Sequence, residues 1–190
     1  MGAFYTNFCV RSDDPQAIGG LLKAEGRAAL VSPSIGGWVV VFDQACESQE
    51  IDELQRLGEL LSVKTGSVVF SALNHDDSVL LLDIFDRGQP VDTYNSCPNY
   101  FDEEGAEEPE GGDANAVCRA VGLPEAASAL EAVLHASNES DEYFMATDRH
   151  AGVVETLGLP GLSVGTGYTY AMEDPEMLEG VTFGDLLEIG

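Results

Sequence analysis

Apolar residues in the first half of the chain recur with two periods, one of a strand and one of a helix, and the order of those periods leaves few topologies open. Phe4, Thr6, Phe8 and Val10 alternate with Tyr5, Asn7 and Cys9, which predicts a strand. Asp14-Pro15 then offers an N-cap followed by proline at the first helical position, and Ile18, Leu21 and Leu22 form an apolar stripe that Gly26 ends. Residues 28–32 and 37–42 read as two strands joined by a turn at Pro33–Gly37. Ser48 is placed to cap a second helix, with Ile51, Leu54, Leu57 and Leu61 at helical spacing and Gly66 at its end. A meander of three strands follows at 67–73, 78–85 and 90–95, with turns at Asn74–Asp77 and Asp86–Gly88. The order βαββαβ predicts an α+β domain of the ferredoxin-like type over residues 1–97, its sheet extended by two meander strands.

Residues 98–113 change character. Asp102, Glu103, Glu104, Glu107, Glu108, Glu110 and Asp113 lie among glycine and proline, and like charges at this density favour a solvated linker loop. Residues 114–190 then predict a smaller helical subdomain or appendage. Its helices are expected near 114–121, 124–136 and 147–157, and Gly165–Tyr170 reads as a turn and short strand.

Composition enters through charge. Thirty-four acidic residues face eight basic ones, a formal charge of −26, and only Lys23 and Lys64 are lysines. A field of that sign repels phosphate backbones and anionic lipid headgroups and attracts basic proteins, so neither nucleic acid nor a membrane is expected as a partner. Disorder is not expected either, because apolar residues make up 44% of the chain and gather in runs such as Trp38–Phe42 and Val79–Leu82. The first residues carry no basic and apolar leader, no apolar stretch approaches membrane-spanning length, and Cys9, Cys46, Cys97 and Cys118 are scattered. These features predict a cytoplasmic protein with reduced structural thiols.

The runs Gly37–Asp43, Leu73–Asp77, Val91–Phe101 and Leu157–Pro160 through Gly167–Tyr168 resemble those of an uncharacterised family of bacterial hypothetical proteins. The resemblance implies a bacterial cytoplasmic setting and no catalytic residues.

Candidate residues are few. Asp83 interrupts an apolar strand, where a buried carboxylate is costly unless paired or protonated. A two-residue turn at Arg87-Gly88 would set it opposite Asp92, and a three-residue loop, which the residues favour, would set it opposite Val91. His75, Asp76 and Asp77 form a polar hairpin tip that can ligate a cation but more simply makes a turn. His150 has no serine or cysteine at a diagnostic spacing. Gly165-x-Gly167 lacks the third glycine and the lysine of a phosphate cradle, so no cofactor is expected. Tyr94, Tyr100 and Phe101, beside Glu103, Glu104, Glu107 and Glu108, combine aromatic anchors with steering charge.

The leading expectation is therefore a non-enzymatic, acidic protein-binding module, for example an immunity or inhibitor protein for a basic effector. A hydrolase or metal-dependent enzyme using Asp83 with Asp92 or His150 is the alternative. A halophile-adapted housekeeping domain, for which lysine scarcity speaks, is the third.

Overall fold

The computed structural model describes residues 2–138 and 143–190. In chain order its elements are β1 (Phe4–Arg11), α1 (Pro15–Ala24), β2 (Ala29–Val31), β3 (Trp38–Asp43), α2 (Ile51–Thr65), β4 (Val68–His75), β5 (Val79–Asp86) and β6 (Gln89–Asn95). There follow β7 (Glu110–Gly111), α3 (Ala114–Val121), α4 (Ala127–Leu134), α5 (Ala146–Leu157), α6 (Tyr168–Glu173) and β8 (Leu187–Ile189). Among the described residues the eight strands form one antiparallel sheet in the order β7-β6-β5-β4-β1-β3-β2-β8. The protein is thus a mixed α+β fold, and none of its described helices is long and apolar enough to cross a membrane.

Strand alternation divides the core into two layers. On one face Phe8, Val10, Val39, Val41, Val69 and Leu73 meet Ile18 and Leu22 of α1 and Leu54, Leu57 and Leu61 of α2. On the other face Cys9, Val40, Phe42, Phe70, Leu82 and Ile84 meet α3, α4 and α5 through Val117, Leu130, Val153 and Leu157. Runs such as Trp38–Phe42 are apolar at every position because both faces of the sheet are covered.

Local chemistry sets most boundaries. Asp14 Oδ1 accepts the Ala17 amide at 3.0 Å, with Pro15 opening α1. Helix α2 departs from the expectation at its start: Glu50 is its N-cap, and Ser48 instead closes a short 3₁₀ turn by donating to the Ala45 carbonyl. Residues 168–170, expected as a strand, open α6. The carboxylate of Glu47 accepts the Tyr168 and Thr169 amides at 3.0 and 3.3 Å, a cap supplied from a distant part of the chain.

The sheet's α1 end is tied by a buried ion cluster. Arg27, whose side chain is 9% exposed, spans the fully buried Asp43 in a fork and also reaches Glu53, which Arg56 holds from outside. Asp43 Oδ1 accepts the Cys46 amide as well, so strand β3, the following turn and α2 share one anchor. Arg56 and then Arg27 hold the Glu53 carboxyl near 2, well below the usual range. Removing one partner of a buried pair leaves the other charge without compensation, at a cost of about 3–5 kcal/mol. Arg27→Met is therefore expected to destabilise by about that amount in urea unfolding. Adding Asp43→Leu should recover part of the loss, and a single-variant loss below about 1 kcal/mol would place Arg27 with ordinary surface pairs.

Candidate functional site

The β5–β6 hairpin decides where the candidate carboxylates point. Arg87 and Gly88 form a two-residue turn, with φ of 50° and 75° at its centre, pairing Asp86 with Gln89 and Phe85 with Pro90. A bulge then intervenes at Val91, so that Ile84 faces Asp92 and Asp83 faces Thr93. Neither expected register is realised. The extra residue carries Asp92 onto the face of Ile84, towards α3, while Asp83 remains on the α2 face. There the two carboxylates cannot act as a facing dyad. Burial raises the pKa of Asp92, and its Oδ2 is buried without a hydrogen-bond partner among the described residues.

His150 lies on α5, on the sheet face opposite Asp83, and is 3% exposed. Its Nδ1 shares a 2.8 Å hydrogen bond with the Tyr5 hydroxyl, and the two rings stack with centroids 5.7 Å apart. Asn74 Nδ2 donates to Thr147 Oγ1 at 2.9 Å and approaches Tyr5 Oη at 3.4 Å, and Thr147 donates to Asp77. Burial pushes the Tyr5 hydroxyl up to about 12 and His150 down to about 4. The network holds β1, β4 and α5 together.

The hairpin tip is similarly occupied. Asp76 Oδ1 accepts the Gly2 amide and Asp77 Oδ2 the Ala3 amide, each at 2.9 Å, while the Asp77 carbonyl accepts the Ala146 amide at 2.8 Å. Among the described residues no three His, Cys, Asp or Glu side chains converge for a metal ion.

His75 faces the other way and centres an aromatic cluster. Phe4, its cross-strand neighbour, meets it edge to face at 4.8 Å between centroids; Tyr100 and Phe101 do so at 5.7 and 5.2 Å and touch one another at 5.1 Å. Gln49 orients the imidazole. Its Nε2 donates to the Asn74 carbonyl at 2.8 Å, which leaves Oε1 to accept from His75 Nδ1 at 2.6 Å. Phe4, Tyr100 and Phe101 are 38, 42 and 54% exposed, so this is a solvent-facing patch and not a core. Tyr94 does not belong to it. It is buried on the opposite face and donates its hydroxyl to the Leu134 carbonyl at 2.7 Å, where Arg149 also donates at 3.0 Å.

The acidic segment starts directly from this patch. Asn99 N donates to the Ala106 carbonyl at 3.1 Å, Asn138 reaches the Glu107 carbonyl at 3.2 Å, and β7 pairs with Tyr94 and Asn95. Glu103, Glu104, Glu107 and Glu108 remain exposed along it. Tyr100 and Phe101 touch one another and are followed in the chain by the four exposed glutamates, while Phe4 and His75 join the rings through strand pairing that only the register reveals.

The chain matches no protein-family model, no curated protein and no solved structure.

The His150 network carries a sign-definite pH dependence. A histidine whose folded pKa lies below its unfolded value disfavours the folded state once the unfolded chain takes up the proton, so stability falls as pH drops from about 6.5 towards 4. The slope approaches about 1.4 kcal/mol per pH unit in that window. Comparing His150→Gln with the parent protein in urea unfolding across it isolates the effect: the parent is expected to lose stability relative to the variant as pH falls. A constant difference would show that His150 titrates normally in the folded protein.

Proposed function

We propose that this chain is an acidic protein-binding module that presents the Phe4–His75–Tyr100–Phe101 patch to a basic protein. The observation that carries the reading is the exposed four-ring cluster, held in orientation by Gln49 and continuous with a chain segment bearing seven acids. Aromatic side chains of this kind supply large buried area at small entropic cost, and neighbouring charge raises the encounter rate. A bacterial cytoplasmic protein that neutralises a basic effector, in the manner of an immunity or inhibitor protein, fits this division of labour. The β4-β1-β3-β2 order of the central strands, with α1 and α2 on one face, supports a ferredoxin-like core as its scaffold.

The reading separates two sets of residues kinetically. With a partner purified by affinity capture at low salt, Tyr100→Ala is expected to raise the dissociation rate about tenfold while leaving association nearly unchanged. Exchanging Glu103, Glu104, Glu107 and Glu108 for glutamine should instead slow association and flatten its dependence on salt. Association that is insensitive to both salt and the four glutamates would contradict the reading.

A further inference from the structure

Helix α2 covers the sheet only as far as β4 and part of β5. Its close seat there is made by Gly58, where a Cβ would lie 3.0 Å from the Phe85 ring. Beyond that contact the cover thins towards β6, where Thr93 is exposed and Asn95 half-buried, and the side of α2 stands beside them as a wall. The result is a trough whose upper part encloses about 280 Å³ between Ile51 and Gln55 on the helix and Leu81, Asp83, Thr93 and Asn95 on the strands. It continues past Asp83 and Thr93 into a second hollow bounded by Phe85 and Pro90. At the other end Gln49 leads to His75, so the trough and the aromatic patch share one face of the sheet.

Asp83 is the chemical centre of this trough. It is 8% exposed, and among the described residues its carboxylate has one donor, Gln55 Nε2, at 3.1 Å from Oδ1. An ionised carboxylate has about four acceptor positions, so most of its capacity is unused. Burial raises its pKa, as expected of a carboxylate that lacks a cation. Among the described residues the upper part of the trough is lined by Asp83 and Glu110 and by no basic side chain, and Arg56, which borders the second hollow, is engaged by Glu53. Ile51 and Leu81 supply apolar walls of the kind along which the alkyl stem of a long basic side chain lies while its head reaches a polar group.

We propose that this trough receives an arginine or lysine side chain of the protein partner, with Asp83 accepting its charged head and Ile51 and Leu81 flanking its stem. The inference rests on the chain being a binder of basic proteins and adds the position at which one basic residue of the partner is read. Long-range attraction by the exposed glutamates does not distinguish one basic protein from another. A single recessed carboxylate does, because a partner without a cation at that position leaves Asp83 desolvated and unpaired.

The probe is acetyl-Ala-Arg-Ala-amide, with the citrulline peptide as its neutral counterpart, titrated by NMR into the whole protein. The expected result is a saturable shift confined to the Gln55 side-chain amide, Leu81, Asp83 and Thr93, together with a fall in the Asp83 carboxyl pKa. Affinity should drop about tenfold in Asp83→Asn, the size of a lost charge-assisted hydrogen bond, and be absent for the citrulline peptide. Tyr100→Ala should leave the peptide titration unchanged. Shifts spread over Glu103–Glu108 with the same affinity in Asp83→Asn would overturn the trough, while the kinetic effect of Tyr100→Ala on the whole partner tests the aromatic patch separately. An Asp83 carboxyl pKa that does not move with peptide in the parent protein would overturn it without recourse to any variant.

Discussion

Strand β1 is the element on which the rest of the molecule depends, because six of its eight residues are buried and each of its faces supports a different layer. Phe8 and Val10 enter the layer closed by α1 and α2, whereas Tyr5 and Asn7 meet the C-terminal half of the chain. The amide of Asn7 donates to the Ser163 and Thr166 carbonyls at 2.6 and 2.9 Å, and Tyr5 pairs with His150 on α5. A polar row on one side of a central strand thus joins the apolar packing of α5 and the pairing of β8 with β2 in fixing residues 143–190 to the sheet. Hydrogen bonds inside the protein are strongest where water is excluded, and they are costly to leave half made.

Covering both faces of the centre has a consequence for the edges. Helices α1 and α2 lie over β1 to β4, and α2 reaches Asp83 and Phe85 of β5 as well, so on this face the cover ends at β6, where Thr93 is exposed. The ring cluster and the recessed Asp83 share the α2 face of the sheet, and the acidic segment returns to the edge of that sheet through β7. A net charge of −26 cannot be placed in the two core layers, and a dense share of it lies in the segment between β6 and α3, where Glu103, Glu104, Glu107 and Glu108 are exposed. In the binding proposed above, attraction by these acids and apolar contact by the rings would act on different rates of the same event.

Much of the order of elements was legible because each depends on local signals. Asp14-Pro15 opens α1 as its residue types require, and the apolar spacing from Leu54 to Leu61 gives α2 its buried stripe. Two features were not legible because their partners lie far away in sequence: helix α6 takes its cap from Glu47, and the hydroxyl of the inward-turned Tyr94 meets the Leu134 carbonyl. A third is local, since Asp92 changes faces through a bulge at Val91 that no turn residue announces. The continuous apolar runs of β3 and β5 did carry a readable sign that helices must cover the second face of the sheet. For the candidate site, spacing alone joined Tyr100 and Phe101 to the glutamates, but the partnership of Phe4 with His75 and the trough beside Asp83 arise from register and from where α2 ends.

The central claim is that recognition takes place on the α2 face of β5 and β6 and its aromatic end. Hydrogen–deuterium exchange of the protein, alone and saturated with a basic protein partner, tests this most directly because it reports every segment at once. The account predicts slowed exchange on binding at residues 49–55, 75–83 and 93–101, with the helices of the opposite face unchanged. Protection concentrated instead in α3, α4 and α5, with these three segments unaffected, would contradict it.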